Sequence, residues 1–322
     1  MKQGRFVQSR EARWAQYDAQ LERLRRKRGS DADLSDFPAR YRALCNDLAL
    51  ARTRGYSLSL VDELEHRVRL GHAYLYRPKS HLGRSIGRFF ARDFPAMIRA
   101  EWRLVLLACL LLFGPMIWLS WQIAQSPEFV YRVLSAGTVE QYESMYGGAK
   151  GIQRSAEDDV VMFAFYIMNN VGVALRTFGA GLVFGIGSAL ILLFNGVQIG
   201  AVAAHLSLSG YQENFTTFVI GHGAFELPAI ALAGAAGGRM GLSLLFPGPY
   251  GRMAALRLGA RRAVRMLYGV MAMLLLAAGL EAFWSASALP SQIKYLVGGA
   301  LWLLVLAYFL FAGRAGGPPR AD

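Results

Sequence analysis

The spacing of apolar and polar positions changes character near residue 104. Before it, Trp14, Tyr17, Leu21 and Leu24 recur at intervals of three and four, the period of one buried helix face, and "LERLRRKRGSD" ends that helix at Gly29. A second helix is predicted over Pro38 to Arg54, with Tyr41, Leu44, Leu48 and Ala51 on one side, and a third over Leu58 to Tyr74. Between Gly83 and Trp102, arginines alternate with aromatic residues in "GRSIGRFFARDFPAMIRAEW". After it come apolar runs long enough to cross a bilayer, separated by short charged segments.

Six spans are predicted, at about 104–123, 160–175, 178–206, 215–237, 264–284 and 293–311. The second is short, and Arg176 marks the turn after it. The fold class is therefore all-α: a polytopic helical membrane protein with a basic helical domain at residues 1–82. An interfacial amphipathic helix at 83–103, a membrane domain at 104–314 and a tail at 315–322 complete the division. In the interfacial helix Arg84, Arg88 and Arg92 are placed to reach anionic headgroups, and Phe89, Phe90 and Phe94 to sit in the acyl boundary.

Charge orients these spans. Arg239 to Arg265 carries six arginines and no acid, and is expected in the cytosol. The segment 125–159 has six acidic residues against three basic ones (Arg132, Lys150, Arg154) and is expected outside. The first thirty residues are charged throughout with no apolar core, so no cleavable signal is expected. The reading is a multi-pass protein of the cell inner (cytoplasmic) membrane with both termini cytosolic. Residues 1–100 carry 21 Lys or Arg against 11 Asp or Glu, which suits anionic lipid; the interleaved acids and the lack of a reading motif argue against nucleic acid. Cys45 and Cys109 fall in different environments, so neither a disulfide nor a cysteine metal site is expected.

Small residues recur within the spans. Gly181 and Gly185 form one G-x-x-x-G and Gly196 and Gly200 another; Gly223, Ala229, Ala233 and Gly237 extend the pattern into the fourth span. Such spacing lets helix backbones approach closely in lipid, and predicts tight packing and a homodimer or higher oligomer. A phosphate loop at Gly179, Gly181 and Gly185 lacks its strand and its Lys-Ser/Thr.

Polar residues inside the spans are the candidate chemistry. Asn169, Asn170, Asn195, Gln198, His222 and Glu226 fall near mid-membrane, where an ionisable side chain is costly and points to function by default. His222 and Glu226 are one helical turn apart, and Pro228 leaves the carbonyl of Ala224 without its usual donor. Glu281, near the outer end of the fifth span, is an accessory acid. His66, His72, His81 and His205 show no ligand spacing. A closed hydrogen-bond network, a proton or cation site, and an enzyme all compete for this cluster. The enzymatic reading lacks a second histidine, and no serine or cysteine has an evident base. No metal and no cofactor is expected.

The segments "NNVGVAL", "FGAGLVFGIGSALILLFNGVQIGA", "GHGAFELPAIALAGAAG", "FPG" and "EAFWS" resemble the stage II sporulation protein M family of integral membrane proteins, over roughly Asn169 to Ser285. The long N-terminal region is similar to an extended, non-sporulation branch. The resemblance implies a non-enzymatic membrane scaffold that recruits or holds cell-envelope proteins, with cytosolic or envelope partners. It assigns Asn169, Asn170, Asn195, Gly196, His222, Gly223, Glu226 and Glu281 to the family's motif positions. A proton- or ion-coupled channel or transporter centred on His222, Glu226 and the asparagines is the alternative.

Overall fold

The computed structural model describes residues 2–26, 36–75, 82–147 and 156–314. It divides into two units, Met1–Leu82 and Gly83–Asp322. Gly29, His81, Lys150, Arg154, the Leu24 side chain and the 315–322 tail lie outside the described residues.

The first unit contains α1 (Gln3–Gln8), α2 (Glu11–Arg26), α3 (Phe37–Thr53) and α4 (Leu58–Leu75). The three-and-four spacing builds its core: Trp14, Tyr17, Leu21, Leu44, Leu48, Ala51 and Leu64 are buried together with Phe6 and Phe37. Pro38 sits in the first turn of α3, where its missing N–H costs nothing. Asp47 is the exception to an apolar interior. It accepts from Trp14 Nε1 at 3.0 Å and from Arg13 at 3.3 Å, and pairs with Arg10. These partners satisfy a carboxylate that the core otherwise desolvates.

The second unit opens with α5 (Leu82–Arg88), a π-helical turn (Phe89–Asp93) and α6 (Phe94–Ala100). At Phe94 the structure differs from the acyl-boundary placement expected from the sequence. Phe94 is 1% exposed and packs on Tyr308 and Phe309, and a Cβ on Gly269 would meet its ring. Phe89 stacks on Phe94, Phe90 meets it edge-on, and the Tyr308 hydroxyl donates to the Phe90 carbonyl at 2.6 Å. Phe94 faces the bundle, because glycine at 269 opens a slot that fits its ring, while Phe89 and Phe90 stay half-buried. Arg84 and Arg88 remain exposed.

The membrane domain follows as α7 (Trp102–Gln125), α8 (Ala136–Tyr146), α9 (Ala156–Ala180), α10 (Ile186–Leu208), α11 (Gln212–Leu245), α12 (Arg252–Gly279) and α13 (Ser291–Phe311). A π-helical turn (Leu280–Ser285) extends α12. Six helices, all but the short α8, are long and apolar enough to cross a membrane. α9 is longer than the second span expected from the sequence and long enough to cross a membrane, and the turn after it lies at 181–185 rather than at Arg176. Arg176 continues the helix and donates its Nε to the Gly172 carbonyl at 3.0 Å. A cation with a long stem does not break a helix. The chain is redirected instead at the end of the 181–185 turn, where Phe184 (φ 52°) and Gly185 (φ 82°) are left-handed and lead into α10.

α11 is the most enclosed span and packs against α7, α9, α10, α12 and α13. Its run Ala229 to Gly237 is buried, since side chains no larger than isoleucine or leucine leave room for five neighbours. The glycines work within the chain. A Cβ on Gly196 or Gly200 would lie 2.2 or 2.6 Å from the carbonyl oxygens of Leu112 and Met116 on α7. Gly181 meets the backbone of Gly237 at the 181–185 turn, so the first G-x-x-x-G joins a turn to a helix rather than two mid-spans. Gly223 makes no such approach: a Cβ there meets only Val219 of its own helix, at 3.4 Å.

Candidate functional site

The site is built on the central helix. α11 runs unbroken through Pro228 and presents His222 and Glu226 one turn apart, Nε2 to Oε2 3.9 Å. Opposite them, the helix that begins as α12 loosens at Leu280–Ser285. A π-helical turn changes the angular spacing of its side chains and is a frequent mark of a functional position. This turn packs on both α9 and α11 and carries Glu281 and Ser285 toward them. Glu281 is thereby brought into the central cluster rather than standing apart as an accessory acid. One ligand atom each from His222, Glu226 and Glu281 lie within 4.8 Å of one another.

Around these three groups is a shell of hydrogen bonds. His222 Nδ1 lies 3.1 Å from Ser285 Oγ, and the ring of Phe218 stands edge-on to the imidazole at 5.4 Å. With the proton on Nδ1, the imidazole donates to Ser285 and turns the lone pair of Nε2 toward the carboxylates. The other tautomer would aim an N–H at Glu226 across 3.9 Å, too far for a hydrogen bond. Asn170 Nδ2 donates to Glu281 Oε2 at a long 3.4 Å, and Asn169 Nδ2 donates to Asn170 Oδ1 at 3.0 Å. Asn169 itself is exposed, so it orients Asn170 rather than entering the cluster. Asn195 donates to the Ile191 carbonyl of its own helix at 2.8 Å, and Gln198 Oε1 is buried without a partner among the described residues. The asparagines thus split between the site and local helix bonding.

A cavity of about 580 Å³ leads to the cluster from the end of the bundle that carries α8 and the 286–290 loop. Tyr146, Tyr166, Phe218, Glu281, Ser285 and Lys294 line it. Lys294 is 6% exposed and donates to the carbonyls of Ser285 at 2.8 Å and Ser287 at 2.7 Å. It fastens the end of the π-helical turn, where backbone carbonyls lack helical partners. At the rim, burial first and then the Glu281 carboxylate push the Tyr146 phenol well above its ordinary range, so Tyr146 stays a neutral hydroxyl. At the same end His205 Nε2 lies 2.7 Å from a Glu143 carboxylate oxygen, which gives that histidine a local hydrogen-bond partner.

Three features escaped the sequence reading. Ser285 is a hydroxyl 3.1 Å from the His222 imidazole, which in this tautomer donates to it. Its signal was the four-residue spacing from Glu281. Lys294 was legible only as a lone cation in the first turn of the last span. The third is the convergence itself: a histidine one turn from a glutamate had no second acid beside it until the fold brought Glu281 from another helix.

The family described as Stage II sporulation protein M matches residues 109–286, a stretch that holds the whole cluster, and the chain belongs to that family. A domain of unknown function, DUF8413, matches residues 4–77, the helices of the first unit. No curated protein and no solved structure matches the chain.

Proposed function

We propose that this member of the stage II sporulation protein M family is a non-enzymatic, multi-pass protein of the cytoplasmic membrane that takes a cation into its membrane domain. One observation carries this reading: two carboxylates from different helices, Glu226 and Glu281, converge beside an imidazole at the head of a cavity. Two adjacent carboxylates in a low-dielectric interior repel each other unless a proton or another cation stands between them. A purely structural polar lock would have each acid paired to a donor. Glu226 instead has no hydrogen-bond donor within reach among the described residues, only Nε2 at 3.9 Å.

The arginine-only segment 239–265 supports a cytosolic placement of that end and of both termini. The non-enzymatic reading rests on Ser285. Ser285 is 3% exposed, its hydroxyl lies 3.1 Å from His222 Nδ1, and its carbonyl is held by Lys294. Labelling of Ser285 by a fluorophosphonate would overturn it.

The scaffold function that the family resemblance implies draws on a different observation, the first unit with a core of its own. Reconstitution of the full chain into proteoliposomes separates the two. Cation flux or uptake that disappears in a folded Glu226→Gln variant supports the site reading. Absence of any uptake, with loss of co-purifying envelope proteins in the same variant, replaces it with the scaffold. The same preparation, cross-linked, tests the homodimer, whose expected glycine faces at 196 and 200 are used within one chain.

A further inference from the structure

We infer that the cation is a divalent first-row transition-metal ion, zinc or manganese in class, held by His222 Nε2 and one carboxylate oxygen each of Glu226 and Glu281. This rests on the cation-site reading above and names its ligand.

Geometry is the first ground. Around a tetrahedral ion with bonds of about 2.0–2.2 Å, ligand atoms stand about 3.4 Å apart. The Nε2 to Oε2 separation of 3.9 Å, and the 4.8 Å envelope of the three donors, contract to that spacing by rotamer adjustments of well under an ångström to somewhat more than one. The surrounding bonds are the second ground. An imidazole that binds a metal through one nitrogen fixes its tautomer by a hydrogen bond from the other, and a ligating carboxylate is itself hydrogen-bonded. Ser285 and Asn170 occupy those two roles, on His222 and Glu281 respectively. Neither bond is needed for proton binding alone.

Charge is the third. Two carboxylates and a neutral imidazole carry two negative charges, which a single divalent ion cancels inside the membrane domain. A monovalent ion leaves one charge unpaired. Donor type then narrows the class: imidazole nitrogen disfavours magnesium and calcium, whose sites are built of oxygen alone, whereas mixed nitrogen and carboxylate suits zinc, manganese and iron(II). Three protein donors also leave a coordination position open, and Glu281 is the ligand that lines the cavity. An ion entering from that end meets Glu281 first and Glu226 and His222 behind it.

The test uses the full chain in lipid nanodiscs, stripped with a chelator and titrated with Zn²⁺ and Mn²⁺, with Mg²⁺ and Ca²⁺ as controls. One tightly bound ion per chain is expected for a transition metal and none for the controls. Glu281→Gln and His222→Gln should lose that ion, and Ser285→Ala and Asn170→Ala should weaken it about 10- to 100-fold. Titration of the wild type with Co²⁺ keeps the inference testable if a variant fails to fold, since the ligand-field spectrum reports a low-coordinate nitrogen and oxygen site directly. Absence of any stoichiometric ion overturns the inference, as does an ion unaffected by both ligand substitutions or a cobalt spectrum identical to that of the free aquo ion. If no metal binds while proteoliposomes take up protons through Glu226, only the metal assignment falls. If the ion binds and no flux or uptake occurs, the metal site stands and the transport reading falls.

Discussion

Lys294 offers the sharpest check on how the site is held. Replacing it by methionine keeps the length of the stem and removes the donors to the Ser285 and Ser287 carbonyls. Each charge-assisted bond contributes about 1.5–3 kcal/mol net. Part of that loss is returned, because the buried ammonium no longer has to be desolvated and because both carbonyls border a cavity that water can enter. A net destabilisation of about 2 kcal/mol follows, a factor of about 30 in the folding equilibrium. The effect is local to the end of the π-helical turn, so Ser285 should drift from His222 Nδ1 while Glu226, on α11, stays in place. Cation affinity should therefore fall about tenfold, the loss typical when a residue that orients a ligating side chain is removed. Denaturant titration in detergent reads the first quantity and ion binding to the folded variant reads the second. Wild-type stability together with wild-type affinity would refute the idea that Lys294 organises the site.

Gly196→Ala should destabilise the membrane domain by about 1–3 kcal/mol, because its Cβ would lie 2.2 Å from a backbone oxygen that cannot move aside. Gly114→Ala, with nothing within 4 Å, should be neutral or stabilising, and a change in oligomeric state without a change in stability would sink the intramolecular assignment. In the first unit, burial raises the phenol of Tyr17 above its ordinary pKa. The folded state then holds its proton more tightly than the unfolded chain, so this contribution is complete below about pH 10 and is lost as pH rises beyond it. Protection of the α3 and α4 amides, taken relative to the base-catalysed intrinsic exchange rate, should fall above that pH in the wild type, and Tyr17→Phe should flatten the dependence.

Periodicity and composition were enough for the class of fold, since a run of apolar residues of membrane length has few other uses and the three-and-four spacing in residues 14–51 admits one buried face. His222 and Glu226 were legible together because a helix fixes the relation between positions four apart. The ends of the spans were not equally readable: Arg176 looked like a boundary, but the chain is redirected at the 181–185 turn, where Phe184 and Gly185 are left-handed. Nor did an alternation of arginine and phenylalanine reveal that Phe94 enters a slot at Gly269, 175 positions further along the chain. The ligand set was the least legible feature. Glu281 and Ser285 lie about sixty residues from His222, and a π-helical turn, rather than any local preference, aims them at it. Sequence by itself determined which residues are costly in a membrane and therefore need a reason. Only the tertiary structure decided which of them meet, because convergence across helices depends on packing angles and helix register that no short-range spacing encodes.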